Sequence, residues 1–170
     1  FDAGRWLAAV QRHRVASVFV VPAMLSRILD HPALDATDLS SLRAISYGAA
    51  AAPVDLVERA MHQWPDVGFA NVFGQTETLG AYTSLTPADH RDPRRVGSVG
   101  RPLPGVEVRI VEPDTQADVP DGQPGNERGR RAGLGNHLAG GEVEHDGLDA
   151  LGAGIDANEQ RHGIRAVGYG

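Results

Sequence analysis

Apolar residues along the first half of the chain recur in two rhythms. Trp6, Leu7 and Val10 fall at helical spacing, which predicts a helix over residues 5–14. Ala-Ser-Val-Phe-Val-Val at 16–21 is a short apolar run rich in β-branched residues, as a buried strand requires. Pro22 ends that strand and suits the first position of a helix whose apolar side is Met24, Leu25, Ile28 and Leu29. Asp38 to Leu42 reads as a capped turn before a second strand at 43–47. Small residues fill Gly48 to Ala52. Pro53 then opens a helix with Val54, Leu56, Val57, Ala60 and Met61 turned inward, and a third strand follows at 67–73.

Strand, helix, strand, helix, strand is the order of a parallel sheet covered by helices. Past residue 80 the rhythm changes. Tyr82 to Leu85, Gly97 to Val99 and Val106 to Val111 are strand-like and separated by Pro- and Gly-rich turns. Val106, Val108 and Ile110 alternate with Glu107, Arg109 and Val111, the pattern of a half-exposed strand. The last proline is Pro124; beyond it glycine is frequent and no apolar stripe is sustained, so little burial offsets the entropy of ordering. The expectation is an α/β fold in three stretches: residues 1–80 α/β, 81–125 β-rich, and a tail over 126–170.

Composition narrows the functional classes. With 170 residues and a net charge of −6, the chain lacks the basic surface that nucleic-acid binding needs. Arg128, Arg130 and Arg131 make only a short run, read as a solvated loop. Absence of cysteine removes disulfides and thiolate metal sites and suits the cytoplasm. No apolar run reaches the roughly 20 residues of a membrane helix. All 16 basic residues are Arg, with no Lys. Phe1 is not an initiator Met, so the chain is expected to begin inside a longer one.

The chemistry-bearing stretch is Asn71-Val72-Phe73-Gly74-Gln75-Thr76-Glu77, at a strand's carboxyl end, where open α/β sheets bind ligands. An aromatic ring stacks on a base and glycine admits a ligand close to the backbone. A Thr hydroxyl donates to phosphate, and a carboxylate holds Mg²⁺. By itself this spacing fits a plain strand-end loop with a capping Thr-Glu better than a nucleotide site.

Further segments accompany it in order. They are Val21-Pro22-Ala23-Met24-Leu25, Asp38 to Arg43, Ile45-Ser46-Tyr47-Gly48-Ala49-Ala50, Val96 to Pro102 with Pro104-Gly105, and Pro120 to Gly125. Together they resemble the acyl-CoA synthetase branch of the adenylate-forming superfamily over residues 1 to about 125. The resemblance implies part of the large N-terminal domain of such an enzyme. It implies Gly48, Ala49 and Ala50 along the adenine and the carboxylate substrate, and Phe73 stacked on adenine with Asn71, Gly74 and Gln75 beside it. Thr76 falls on the α-phosphate, and Glu77 on Mg²⁺. Val21, Pro22 and Ala23 border the acyl pocket, or form only a strand-to-helix turn. ATP/AMP, Mg²⁺ and coenzyme A are the implied cofactors, and a small carboxylic acid, a fatty acid foremost, the implied substrate.

Departures also bear on the reading. Ala51 stands where the family often has Pro. Asn126-Glu127-Arg128-Gly129 replaces the family's Gly-Glu-Leu and the strand after it, and its Thr-Gly-Asp signature is absent. Residues 126–170 are therefore expected to be an aberrant, frameshifted reading. The phosphate loop and the catalytic Lys of the family have no counterpart here, so the chain is expected to be inactive alone. A non-catalytic α/β module and a decayed gene product stay open beside this reading. Gly133-x-Gly135 lacks the third glycine of a dinucleotide loop. His137, Glu142, Glu144, His145, Asp146 and Asp149 match no zinc spacing. His13, His31, His62, His90 and His162 are scattered and are given no role.

Overall fold

The computed structural model describes residues 1–75, 80–112, 114–115, 117–119 and 126–131. Helix α1 (Ala3–His13) is capped by Asp2, whose carboxylate accepts from the Arg5 amide at 2.8 Å, and ends where Arg14 turns left-handed at φ 47°. Ala3, Leu7 and Val10 face inward, one turn apart. Strand β1 (Ser17–Val20) leads into α2 (Pro22–Leu29), with Pro22 in the first turn as its fixed φ favours. Strand β2 (Ala44–Gly48), α3 (Val54–Gln63) and β3 (Gly68–Gln75) follow.

The three strands are parallel, with Val18 opposite Ile45 and Ile45 opposite Phe69. Residues of one strand parity (Val20, Ile45, Tyr47, Phe69) join Leu7, Val10, Leu25, Ile28, Val57 and Ala60 in one buried core. Two expectations change here. Phe19, within the apolar run of β1, is 53% exposed, so that run buries only alternate residues. Val54, placed inward by the sequence, is 38% exposed, because it occupies the first turn of α3, before the stripe begins.

Strand β4 (Gly80–Leu85) returns antiparallel to β3, and β5 (Arg101–Pro102) pairs antiparallel with β4, so the sheet is mixed, in the order β1-β2-β3-β4-β5. The strand expected at Gly97–Val99 is instead irregular chain, and extended pairing starts only at Arg101. Strands β6 (Val106–Val111) and β7 (Asn126–Arg131) form a separate antiparallel ribbon. Val111, on the expected exposed side, is fully buried. The chain beyond Gly125, read as an unmatched tail, thus begins with a strand in full register against β6.

Thr83 in β4 is fully buried, and its hydroxyl has no hydrogen-bond partner among the described residues. A buried hydroxyl without a partner costs stability that an apolar group of the same shape does not. Thr83→Val is expected to raise stability by about 1 kcal/mol, seen as a higher urea midpoint at unchanged slope.

Candidate active site

Parallel pairing brings the carboxyl ends of β2 and β3 to one edge of the sheet, with Gly48 opposite Val72. Glycine is required at that point: a Cβ on Gly48 would overlap the Val72 carbonyl oxygen. The chain then turns through Ala49, held at φ 63°, in the left-handed region that side chains avoid. Strain of this kind collects where a backbone is shaped for a ligand.

On the neighbouring strand, Phe73 is half-buried with its ring against Tyr82, centroids 5.3 Å apart and planes at 66°. The register between β3 and β4 shifts between Phe73 and Gly74, a bulge that re-aims the strand's last side chains. Gly74 also lacks room for a side chain, since a Cβ there would press on the backbone of Gly80 and Ala81.

A cavity of about 210 Å³ opens at this edge. Gly48, Ala49 and Ala50 line one side, Asn71, Phe73 and Gly74 another, and Val96, Gly97 and Val99 close it. Six of the sequence-predicted site residues therefore meet in one place. Asn71 ties two walls together, its side-chain amide donating to the Ser98 carbonyl at 3.2 Å. Among the described residues the lining includes no Asp, Glu, Arg or His, and the Tyr47 phenol within it is pushed up by burial. Such a lining suits a flat, uncharged part of a ligand. The volume is below the roughly 300–1,000 Å³ of complete small-molecule pockets, so it accommodates part of a molecule the size of ATP.

Other predicted residues lie elsewhere. Val21, Pro22 and Ala23 form the turn from β1 into α2 and are not among the lining. Gln75 ends β3, where only its backbone is described. Thr76 and Glu77 lie outside the described residues, as do Gly133-x-Gly135 and the His137–Asp149 group. Among the described residues no three His, Asp or Glu side chains gather to hold a metal, and no helix is long and apolar enough to cross a membrane.

Two parts of the cavity escaped the residue-by-residue reading. Tyr47 belongs to its lining, and Val96, Gly97 and Val99, at and beside the strand expected over Gly97–Val99, supply a wall. The one sequence signal for that wall was its fixed place in the order of motifs.

A family profile described as AMP-binding enzyme matches residues 1–134. The chain belongs to the AMP-binding enzyme family. The match runs past Gly125 and through β7, so the family's pattern continues nine residues beyond the edge drawn from motifs. Over 113 residues the chain is 37% identical to the medium/long-chain-fatty-acid–CoA ligase FadD8 of Mycobacterium tuberculosis, covering 66% of this chain and 19% of that protein. Over 125 residues it is 36% identical to a feruloyl-CoA synthase of an Amycolatopsis species, covering 74% and 24%. Among solved structures it superimposes on the anthranilate CoA ligase AuaEII in complex with anthranoyl-AMP, with TM-score 0.69 and 28% identity over 76% of this chain and 24% of that one. The chain thus spans about a fifth to a quarter of the length of these relatives.

Proposed function

We propose that this chain supplies the adenine-facing wall of an ATP-dependent acyl-CoA synthetase. The observation that carries the proposal is the convergence of Phe73 with Gly48, Ala49 and Ala50 on one cavity at the sheet's carboxyl edge, lined by no charged side chain among the described residues. The cavity residues fit an adenine: Phe73 offers a ring to the lining, and the small side chains of Ala49, Ala50, Ala51 and Ala52 share that lining without filling it. Thr76 would reach the α-phosphate and Glu77 would hold Mg²⁺, both directly beyond β3.

The overall reaction has two displacements. A carboxylate oxygen bonds to the α-phosphorus of ATP and pyrophosphate leaves. The coenzyme A thiol then bonds to the acyl carbon and AMP leaves. Catalysis of the first displacement is chiefly positioning and charge neutralisation. Within that scheme this chain orients the base and the reacting carboxylate, while its sequence provides no lysine to neutralise charge. A medium- or long-chain fatty acid is the proposed substrate, in line with the apolar residues near 20–25 and 47–52 and the likeness to a fatty-acid–CoA ligase.

The test is AMP titration of the purified chain, followed by amide shifts. Binding should perturb Gly48–Ala50 and Phe73. Phe73→Ala should weaken it roughly ten-fold or more, since stacking a base on an aromatic ring is worth about 1–3 kcal/mol. Glu77→Gln should abolish only the gain from added Mg²⁺. Unchanged affinity in Phe73→Ala would overturn the reading. ATP–pyrophosphate exchange by these residues alone would contradict the assignment of partial machinery.

A further inference from the structure

The cavity has two walls far apart in sequence, and a buried pair joins them. Tyr47 is 1% exposed and belongs to the cavity lining, and its hydroxyl meets the buried His90 Nε2 at 3.0 Å. His90 is 2% exposed, and its Nδ1 lies 2.8 Å from the Thr86 carbonyl. A carbonyl only accepts, so Nδ1 carries the proton and Nε2 is the acceptor for the Tyr47 hydroxyl. The imidazole also packs edge-on to the Tyr47 ring and tilted against Phe69. The Thr86 carbonyl fixes this tautomer, and burial favours the neutral ring by lowering its pKa, against the opposing pull of that carbonyl and Asp89.

His90 sits in the single turn Asp89–Arg91. Asp89 accepts from Arg95 at 2.8 Å, both side chains mostly buried, and Arg95 directly precedes the wall residues Val96, Gly97 and Val99. On the sheet side, Tyr47 is paired with Asn71, whose own side chain bonds to Ser98. Of two register partners on adjacent strands, Asn71 thus bonds directly into the 96–99 segment, and Tyr47 bonds to His90 in the turn that leads to it. Tyr47 is bonded through the backbone to Gly48, where the strained turn at Ala49 begins.

The geometry points to His90 as a positioning residue: through the Tyr47 hydroxyl it sets the distance between the Gly48–Ala50 wall and the Val96–Val99 wall. It touches no ligand. The inference rests on the reading of this cavity as the adenine site, and predicts that nucleotide affinity follows the Tyr47–His90 bond.

The experiment is AMP titration of the whole chain by amide shifts, with thermal midpoints measured on the same samples. Tyr47→Phe and His90→Leu should each weaken AMP binding about five-fold, the size of one net hydrogen bond. His90→Gln, which retains an acceptor for the hydroxyl, should stay within about two-fold of wild type, well short of that loss. Tyr47→Phe combined with His90→Leu should lose no more than either alone, because removing both partners leaves no buried group unpaired. The amides of 48–50 and 96–99 should shift together in Tyr47→Phe. If Tyr47→Phe lowers the thermal midpoint but binds AMP as wild type does, while Phe73→Ala weakens binding, the pair is only structural and the inference falls. If Phe73→Ala also has no effect, the adenine reading itself falls. Should His90→Leu fail to fold, Tyr47→Phe and His90→Gln still decide.

Discussion

Gly48→Ala is expected to destabilise the chain by about 3 kcal/mol or more and to abolish the cavity. The added methyl has no free direction. It meets the carbonyl oxygen and carbon of Val72, and beyond them the tip of the Phe19 ring. A flexible side chain yields to such an overlap, but a backbone carbonyl in a parallel ladder does not. Relief requires β2 and β3 to separate at the Gly48–Val72 position, which is their last register pair and itself lines the cavity. Domains of this size are stable by only about 5–15 kcal/mol, so the loss is a large share of the total. Urea unfolding monitored by circular dichroism measures it. A midpoint within error of wild type would mean that the strand ends are looser than their register implies.

The same residue shows where sequence reading succeeds. Gly48 begins a run of small residues after an apolar strand, and its place in the site was given by the family resemblance that the run helps to carry. The helix stripes at Leu7–Val10, Leu25–Ile28 and Leu56–Ala60 were legible without it: burial on one side of a helix writes a local period into the chain. The parallel order of β1, β2 and β3 followed from strands alternating with helices.

What sequence did not reveal depends on contacts between distant residues. Tyr47 and His90 are 43 positions apart, and nothing local distinguishes His90 from four other histidines. Its burial follows from where the Asp89–Arg91 turn lands against β2 and β3. The shift between Phe73 and Gly74 is likewise a property of pairing with β4, not of either strand alone. Gly97–Val99 carries the residues of a strand but joins no ladder among the described residues: the Ser98 amide donates to the Arg95 carbonyl at 2.8 Å, closing a turn, and extended pairing starts only at Arg101. The exposure of Phe19 belongs here too, since an apolar run does not tell which of its alternate sides meets the helices.

Ile28→Ala is the second large effect, expected to cost about 2–5 kcal/mol. Ile28 is 0% exposed and lies on α2, the middle of three helices, which touches both α1 and α3. Truncation removes three methyl or methylene carbons from a site bounded on several sides, and the void left by partial collapse adds to the lost burial. Its absence from the cavity lining gives the variant diagnostic value. The helix layer supports the sheet but does not line the cavity. Below its lowered thermal midpoint, Ile28→Ala should therefore bind AMP as wild type does, whereas Gly48→Ala should lose stability and binding together. Chemical unfolding and AMP titration on the two variants, at one temperature, separate support from site. Loss of AMP affinity in a fully folded Ile28→Ala sample would show that core packing and cavity shape are coupled more tightly than this division allows.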